Sequence, residues 1–157
     1  MGSVIPTGFE CYVRLQGREF PHSAIDAATA SILATHTSTP GHCWMCLWEG
    51  YGYLTGAVAV LQFSPIGQAP PAPIRIPKPR LRKSRVRLPH RNYLLFTGSV
   101  AQSAGWDDGP NLCWPDDRSW VVAREIDLDY TLVGGPAKLC AELVARGAAY
   151  VNVEDRN

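Results

Sequence analysis

The chain has no run approaching the ~20 consecutive apolar residues that a membrane-spanning helix needs. Its first 20 residues carry Glu10, Arg14, Arg18 and Glu19 and lack the apolar core of a signal peptide. The reading is a cytoplasmic protein with no membrane partner. Paired cysteines are missing too: Cys11, Cys43, Cys46, Cys113 and Cys140 are odd in number and scattered, which fits reduced, buried thiols better than a disulfide framework. No His-x-Glu exists, and two residues separate Pro40 from Cys43, so the zinc-deaminase signature is excluded. His22, His36, His42 and His90 have no serine or cysteine partner at a recognisable catalytic spacing, and nucleophilic catalysis has no support.

What the chain does have is turn chemistry. Fourteen glycines and 13 prolines in 157 residues favour many short elements over long helices, and the length suits one domain with a real core. Net charge is only +1, but it hides a segregation. Residues 75–91 hold eight of the 15 Lys and Arg and no acid, whereas 107–129 hold seven acids against Arg118 and Arg124. Such asymmetry serves a partner or joins two surface regions of the same chain.

Alternation predicts a strand over 9–15, with Phe9, Cys11, Val13 and Leu15 inward and Tyr12 on the other side. Ser23 to Asp26 matches a capping-box spacing and opens a helix over 23–36, whose apolar face is Ile25, Ala28, Thr29, Ile32, Leu33 and His36. A buried strand over 43–48 is expected to pair as a hairpin with a second at 57–63. Residues 64–89 hold seven prolines and most of the basic run, a composition that favours extended, exposed chain, with 64–83 a flexible loop. Strands are expected at 85–88, 92–97, 120–123 and 130–133, with a short helix within 98–105. Gly134, Gly135 and Pro136 read as a tight turn that puts proline at the first position of a last helix over 136–146. There Leu139, Cys140, Leu143 and Val144 share a face, Lys138 pairs with Glu142 outside, and 148–153 returns as an edge strand. Strands outnumber helices without alternating with them, which implies one α+β domain over 1–157: a mixed or mainly antiparallel sheet with two packed helices.

Four motifs touch chemistry. His42-Cys43-x-x-Cys46 suggests zinc, but in a strand residues three apart point to opposite faces, and the expectation is no metal and no cofactor. A thioredoxin-like site would place its cysteine pair at a helix start, which the Trp44, Met45, Leu47 and Trp48 context contradicts. The run 75–91 could meet phosphates, yet it has no aromatic before Tyr93 and its prolines preclude a groove-reading helix, so nucleic acid is not the expected partner. The Gly134-Gly135-Pro136 helix start could cradle an anion, although a plain strand-to-helix turn explains it as well.

The acids and tryptophans point to a surface instead. Asp107-Asp108, Asp116-Asp117 and Glu125-x-Asp127-x-Asp129 supply paired carboxylates, or else solvated turns in which Asp116 or Asp117 pairs with Arg118 or Arg124. Trp44 and Trp48, four apart in a strand, share one face while Met45 and Leu47 take the other, so one set fills a core and the second lines a cleft or interface. The candidate binding residues are therefore Trp44, Trp48, Trp114, Asp116, Asp117, Arg118, Glu125 and Asp127. A non-catalytic protein presenting this acidic, aromatic surface to a protein partner is the leading expectation. The rival is a small metal-dependent or carboxylate-based hydrolase using the 107–129 acids with a histidine such as His90.

Three segments carry a family resemblance: Gly2-Ser-Val-Ile-Pro-Thr-Gly-Phe-Glu10, Thr39-Pro-Gly-His-Cys-Trp-Met-Cys-Leu-Trp-Glu-Gly-Tyr-Gly52 and Leu88-Pro-His-Arg-Asn-Tyr-Leu-Leu-Phe96. Together with 110–135 they make the chain resemble an uncharacterised actinobacterial family of hypothetical proteins over nearly its whole length. Departures lie within 17–25 and in the proline-rich loop, where a family site would be altered. The resemblance brings no activity with it. The strand, bend, strand and helix ending is also loosely similar in pattern to SUKH domains of bacterial immunity proteins, which implies an immunity or antitoxin role.

Overall fold

The computed structural model describes residues 6–20, 25–51, 84–89, 91–104, 106, 110–125 and 128–152. Their elements are, in chain order, β1 (Cys11–Leu15), α1 (Ala27–Thr35), β2 (Cys43–Trp48), β3 (Arg85–Leu88), β4 (Arg91–Gly98), α2 (Val100–Ser103), β5 (Leu112–Pro115), β6 (Val121–Ala123), β7 (Thr131–Gly135), α3 (Ala137–Ala145) and β8 (Ala149–Tyr150). The fold is α+β. All eight strands join one sheet in the order β3-β4-β2-β5-β6-β7-β1-β8, and every neighbouring pair runs antiparallel.

The pleat divides the sheet into two unlike faces. Val13 and Leu15 of β1, Cys43 and Met45 of β2, Cys113, Val122 and Val133 point to the helix side. There they meet Ala30 and Leu33 of α1, Val100 of α2, and Leu139, Cys140 and Leu143 of α3 in one buried cluster. Trp120 completes it, fully buried, with its indole Nε1 donating to the carbonyl of Leu33 at 3.0 Å. The other face holds a second cluster built on Cys46, Tyr93, Leu112 and Ala123, with Trp48, Leu95 and Trp114 packed at its margin.

Several local expectations change. The first helix starts at Ala27 and its cap is Asp26, whose carboxylate accepts from Thr29 N; Ser23 lies outside the described residues. Its inner face consequently carries Thr29, Ala30 and Leu33, with Ala28 exposed. The expected hairpin of 43–48 with 57–63 does not form along β2, because β4 takes one of its edges and β5 the other; 57–63 itself lies outside the described residues, as does 64–83. Tyr12 is buried on the non-helix face, its hydroxyl accepting from Phe9 N at 3.2 Å and donating to Pro6 O at 3.0 Å.

Gly134 and Gly135 are strand rather than turn, paired with Tyr12 and Cys11. A Cβ on Gly134 would stand 2.7 Å from Tyr12 Cε1, and one on Gly135 equally close to Leu139 Cδ2, so only glycine admits both approaches. Pro136 is the N-cap of α3, one position before the expected place, and supplies no side-chain cap. Glu10 does so instead, its Oε2 accepting from Ala137 N at 3.0 Å, which puts the chain's own carboxylate where an anion was considered. On α3, Leu139, Cys140 and Leu143 are buried as expected, while Glu142 meets His36 Nε2 at 3.1 Å in place of Lys138. That contact ties α3 to the C-cap of α1.

Candidate functional site

The non-helix face of β2 brings three candidate residues into one frame. Trp44 stands opposite Trp114 on β5 and Thr97 on β4, and Trp48 stands opposite Tyr93 four pairs further along. Trp44, Trp48 and Trp114 are all half-buried, so each offers an edge or face to solvent while its remainder is packed. His42 and Trp44 rings lie 5.3 Å apart.

At the Trp44 end, the turn after β5 fixes the two acids in different ways. Asp116 N donates to His42 O at 3.0 Å, and Asp116 Oδ1 accepts the Trp44 indole N–H at 3.0 Å while the residue stays exposed. Asp117 points elsewhere. It accepts from Thr37 Oγ1, Ser38 N, Ser38 Oγ and Ser119 N at 2.7 to 3.0 Å, tying the loop after α1 to this turn. Desolvation works against its ionised form, but the hydrogen bonds from Ser119, Ser38 and Thr37 prevail and hold its carboxyl well below the usual carboxylate range. Arg118 closes the turn with a left-handed backbone, φ 57°, and an exposed side chain. The Asp–Arg pairs expected in this turn are thus replaced by Trp44 on one acid and a hydroxyl cradle on the other.

At the opposite end Arg91 lies over the Trp48 ring, 5.5 Å from its centroid, and its Nη1 donates to Glu125 Oε2 at 2.6 Å. Trp48 packs edge-on against Tyr51 at 5.4 Å. Buried Asn111 braces both: its Oδ1 accepts Trp48 N at 2.8 Å, and its Nδ2 donates to the Tyr51 hydroxyl at 3.0 Å and to Arg124 O at 3.2 Å. Desolvation first, and the nearby Glu125 carboxylate second, push the Tyr93 phenol up to about 12. An open, mostly polar groove of about 480 Å³ runs beside this end, lined by Trp48, Glu49, Gly50, Leu88, Arg91 and Asn92, with Arg85 Nη2 paired to Glu49 Oε1 at 2.8 Å.

The candidate residues therefore form two groups. Trp44, Trp114 and Asp116 come together; Trp48 and Glu125 meet through Arg91. Asp117 and Arg118 belong to the turn and, among the described residues, make no hydrogen bond or cation–π contact with a tryptophan, and Asp127 lies outside the described residues. Asp116 follows the end of β5 and Glu125 the end of β6, at opposite ends of a hairpin in which Leu112 pairs with Ala123. At ~3.3 Å per residue that puts them on the order of 13 Å or more apart. His90 and the acids at 107, 108 and 127 are outside the described residues, while Asp129 accepts from Gln16 Nε2 at 2.7 Å. Arg91, Asn111 and Tyr51 were not among the expected site residues. Asn111 alone had a usable signal, an amide between a proline and a strand.

Cys43 and Cys46 take opposite faces of the sheet, one in each buried cluster, so a single ion cannot bridge them. Among the described residues no group of three or more His, Cys, Asp or Glu side chains gathers in a way that could hold a metal ion. No described helix is long and apolar enough to cross a membrane.

No protein-family model matches the chain, and no curated protein or solved structure matches it.

Proposed function

We propose that this chain is a non-catalytic, cytoplasmic binding protein of the immunity or antitoxin kind, within the actinobacterial family it resembles, and that it engages a partner protein through the Trp44 end of its sheet. The observation that carries the reading is the Trp44–Trp114 cross-strand pair, half-exposed, with the Trp44 indole N–H already fixed on the exposed carboxylate of Asp116. Tryptophan is enriched among the residues that dominate interface energies. A side chain held in place before encounter loses less rotamer freedom on binding, which otherwise costs about 0.5–1.5 kcal/mol per immobilised side chain. The acids separate in a way that suits a surface better than a hydrolytic centre: Asp116 serves an indole, Asp117 a loop, and Glu125 an arginine at the far end.

The test is site-specific photo-crosslinking in the native host. A photoreactive amino acid at Thr97, an exposed neighbour of Trp44, is expected to give a defined protein adduct, and the same group at Ala141 on the exposed side of α3 is not. Adducts at Ala141 alone would move the interface to the helices and refute the reading.

A further inference from the structure

The two ends of the non-helix face carry the same pair of groups, and one of them is occupied. Around Trp48 a planar cation sits between an aromatic face and a carboxylate: Arg91 lies 5.5 Å from the ring centroid and 2.6 Å from Glu125 Oε2. Both contacts are attractive, the first through the ring quadrupole and the second as a charge-assisted hydrogen bond. Around Trp44 the aromatic and the carboxylate recur, with Trp114 beside them as a second indole and His42 against the first. No lysine or arginine among the described residues completes this second corner. Asp116 is exposed, and its Oδ2 accepts no hydrogen bond among the described residues.

We infer that Trp44, Trp114 and Asp116 receive the guanidinium group of an arginine on the partner protein, as Trp48 and Glu125 receive Arg91 within the chain. This assignment rests on the protein-binding reading above and names the chemistry of its partner. Arginine suits the corner better than lysine because a flat, weakly hydrated fork can stack on an indole while its edge donates to Asp116 Oδ2. A phosphate-bearing ligand does not suit it, since the ionised Asp117 is the next residue and would repel it.

The experiment uses the full chain labelled with ¹⁵N and follows the indole N–H signals during titration with acetyl-Gly-Arg-Gly-amide. The uncharged citrulline peptide of the same shape is the control. Saturable shifts of the Trp44 and Trp114 signals with a millimolar midpoint are expected, with the buried Trp120 signal unmoved. The citrulline peptide should leave all of them in place. Asp116→Asn keeps an acceptor for the Trp44 indole and should weaken the apparent Kd about tenfold; an unchanged Trp120 signal verifies that this variant is folded. Equal responses to the two peptides, no shift at all, indifference to Asp116→Asn, or shifts confined to Trp48 would each overturn the arginine assignment. If crosslinks from Thr97 persist in that case, only the arginine assignment has failed. If they are missing as well, the protein-binding reading has failed with it.

Discussion

Arg146, at the C-cap of α3, closes its guanidinium on the carboxylate of Asp26, the residue that caps α1. The same arginine donates to Thr29 Oγ1 and to Glu19 O and lies 4.8 Å from the centroid of Phe20, so one side chain fastens the entry of the first helix to the exit of the last. Desolvation tends to raise the Asp26 pKa, but the hydrogen bonds from Arg146 and Thr29 outweigh it and the net shift is downward from 3.8. A depressed folded-state pKa means stability that is present above the unfolded value and lost as pH falls through the folded one.

Asp26→Ala should therefore destabilise the protein at neutral pH by about 1–2 kcal/mol through the cap alone, with a further loss from the ion pair. Asp26→Asn, which retains a good cap, should lose only the charged component. In urea titrations the gap between wild type and Asp26→Asn is expected to be full at pH 7 and to shrink as pH falls below 3.8. A double-mutant cycle with Arg146→Ala should give a coupling of roughly 0.5–3 kcal/mol. Strict additivity would show that the two residues act separately.

The cysteines give a second test. Cys43, Cys46, Cys113 and Cys140 are buried and Cys11 is half-buried. Burial pushes the Cys46 thiol up to about 12 and raises Cys140 as well. Cys113 is raised by its hydrogen bond with Cys43 and by burial, and the same contact lowers Cys43. Because the thiolate is the reactive form and access is also required, a neutral aromatic disulfide should modify Cys11 first. The other four should react only as the protein unfolds, a sequence that intact-mass measurement resolves. Rapid labelling of Cys46 in native buffer would contradict its placement.

Local periodicity made much of the architecture legible. Alternation located β1, a dense apolar and aromatic run before turn residues located β2, and i, i+3, i+4 spacing located α3 with its buried Leu139, Cys140 and Leu143. The same period of two put Trp44 and Trp48 on one face of β2. Pairing was not legible, because it joins residues far apart: β2 lies between β4 and β5, and Asp117 is tied to Thr37 across 80 positions. Caps were misplaced by competing signals. Ser23 had the spacing of a capping box, yet Asp26 caps α1, while the reciprocal Ser99–Gln102 box that starts α2 passed unread. The Trp48 group depended on Arg91 and Glu125, 34 positions apart, and no local pattern links them.

Trp120 supplies a third prediction. Its ring is fully buried and its Nε1 donates to Leu33 O, which also accepts from His36 N at 3.1 Å. Trp120→Phe therefore removes one hydrogen bond and some volume without orphaning the carbonyl. The net worth of such a hydrogen bond is about 0.5–1.5 kcal/mol. Adding the unfilled volume, Trp120→Phe should cost clearly less than Trp120→Ala, for which about 3–5 kcal/mol is typical. Equal losses for the two variants in chemical denaturation would mean that the hydrogen bond, rather than ring packing, dominates the site.

The last prediction compares two residues of α3 that differ in exposure. Leu143 is fully buried against the helix-side cluster, and Lys138 is exposed with no partner among the described residues, since Glu142 turns to His36. Leu143→Ala removes buried methyl groups and leaves a cavity that the surrounding structure only partly collapses, a loss of about 2–5 kcal/mol. That is a large share of the ~5–15 kcal/mol that usually separates a folded domain from its unfolded chain. Lys138→Ala trades one good helix former for another on the solvent side and should fall within about 0.5 kcal/mol of wild type. The helix rests on Val13 and Val133 through Leu139, Cys140 and Leu143 together, so the Leu143 loss should appear as one cooperative transition at a lower denaturant midpoint. Equal midpoints for Leu143→Ala and Lys138→Ala would remove α3 from the core and with it the packing that holds β7 and β1 side by side.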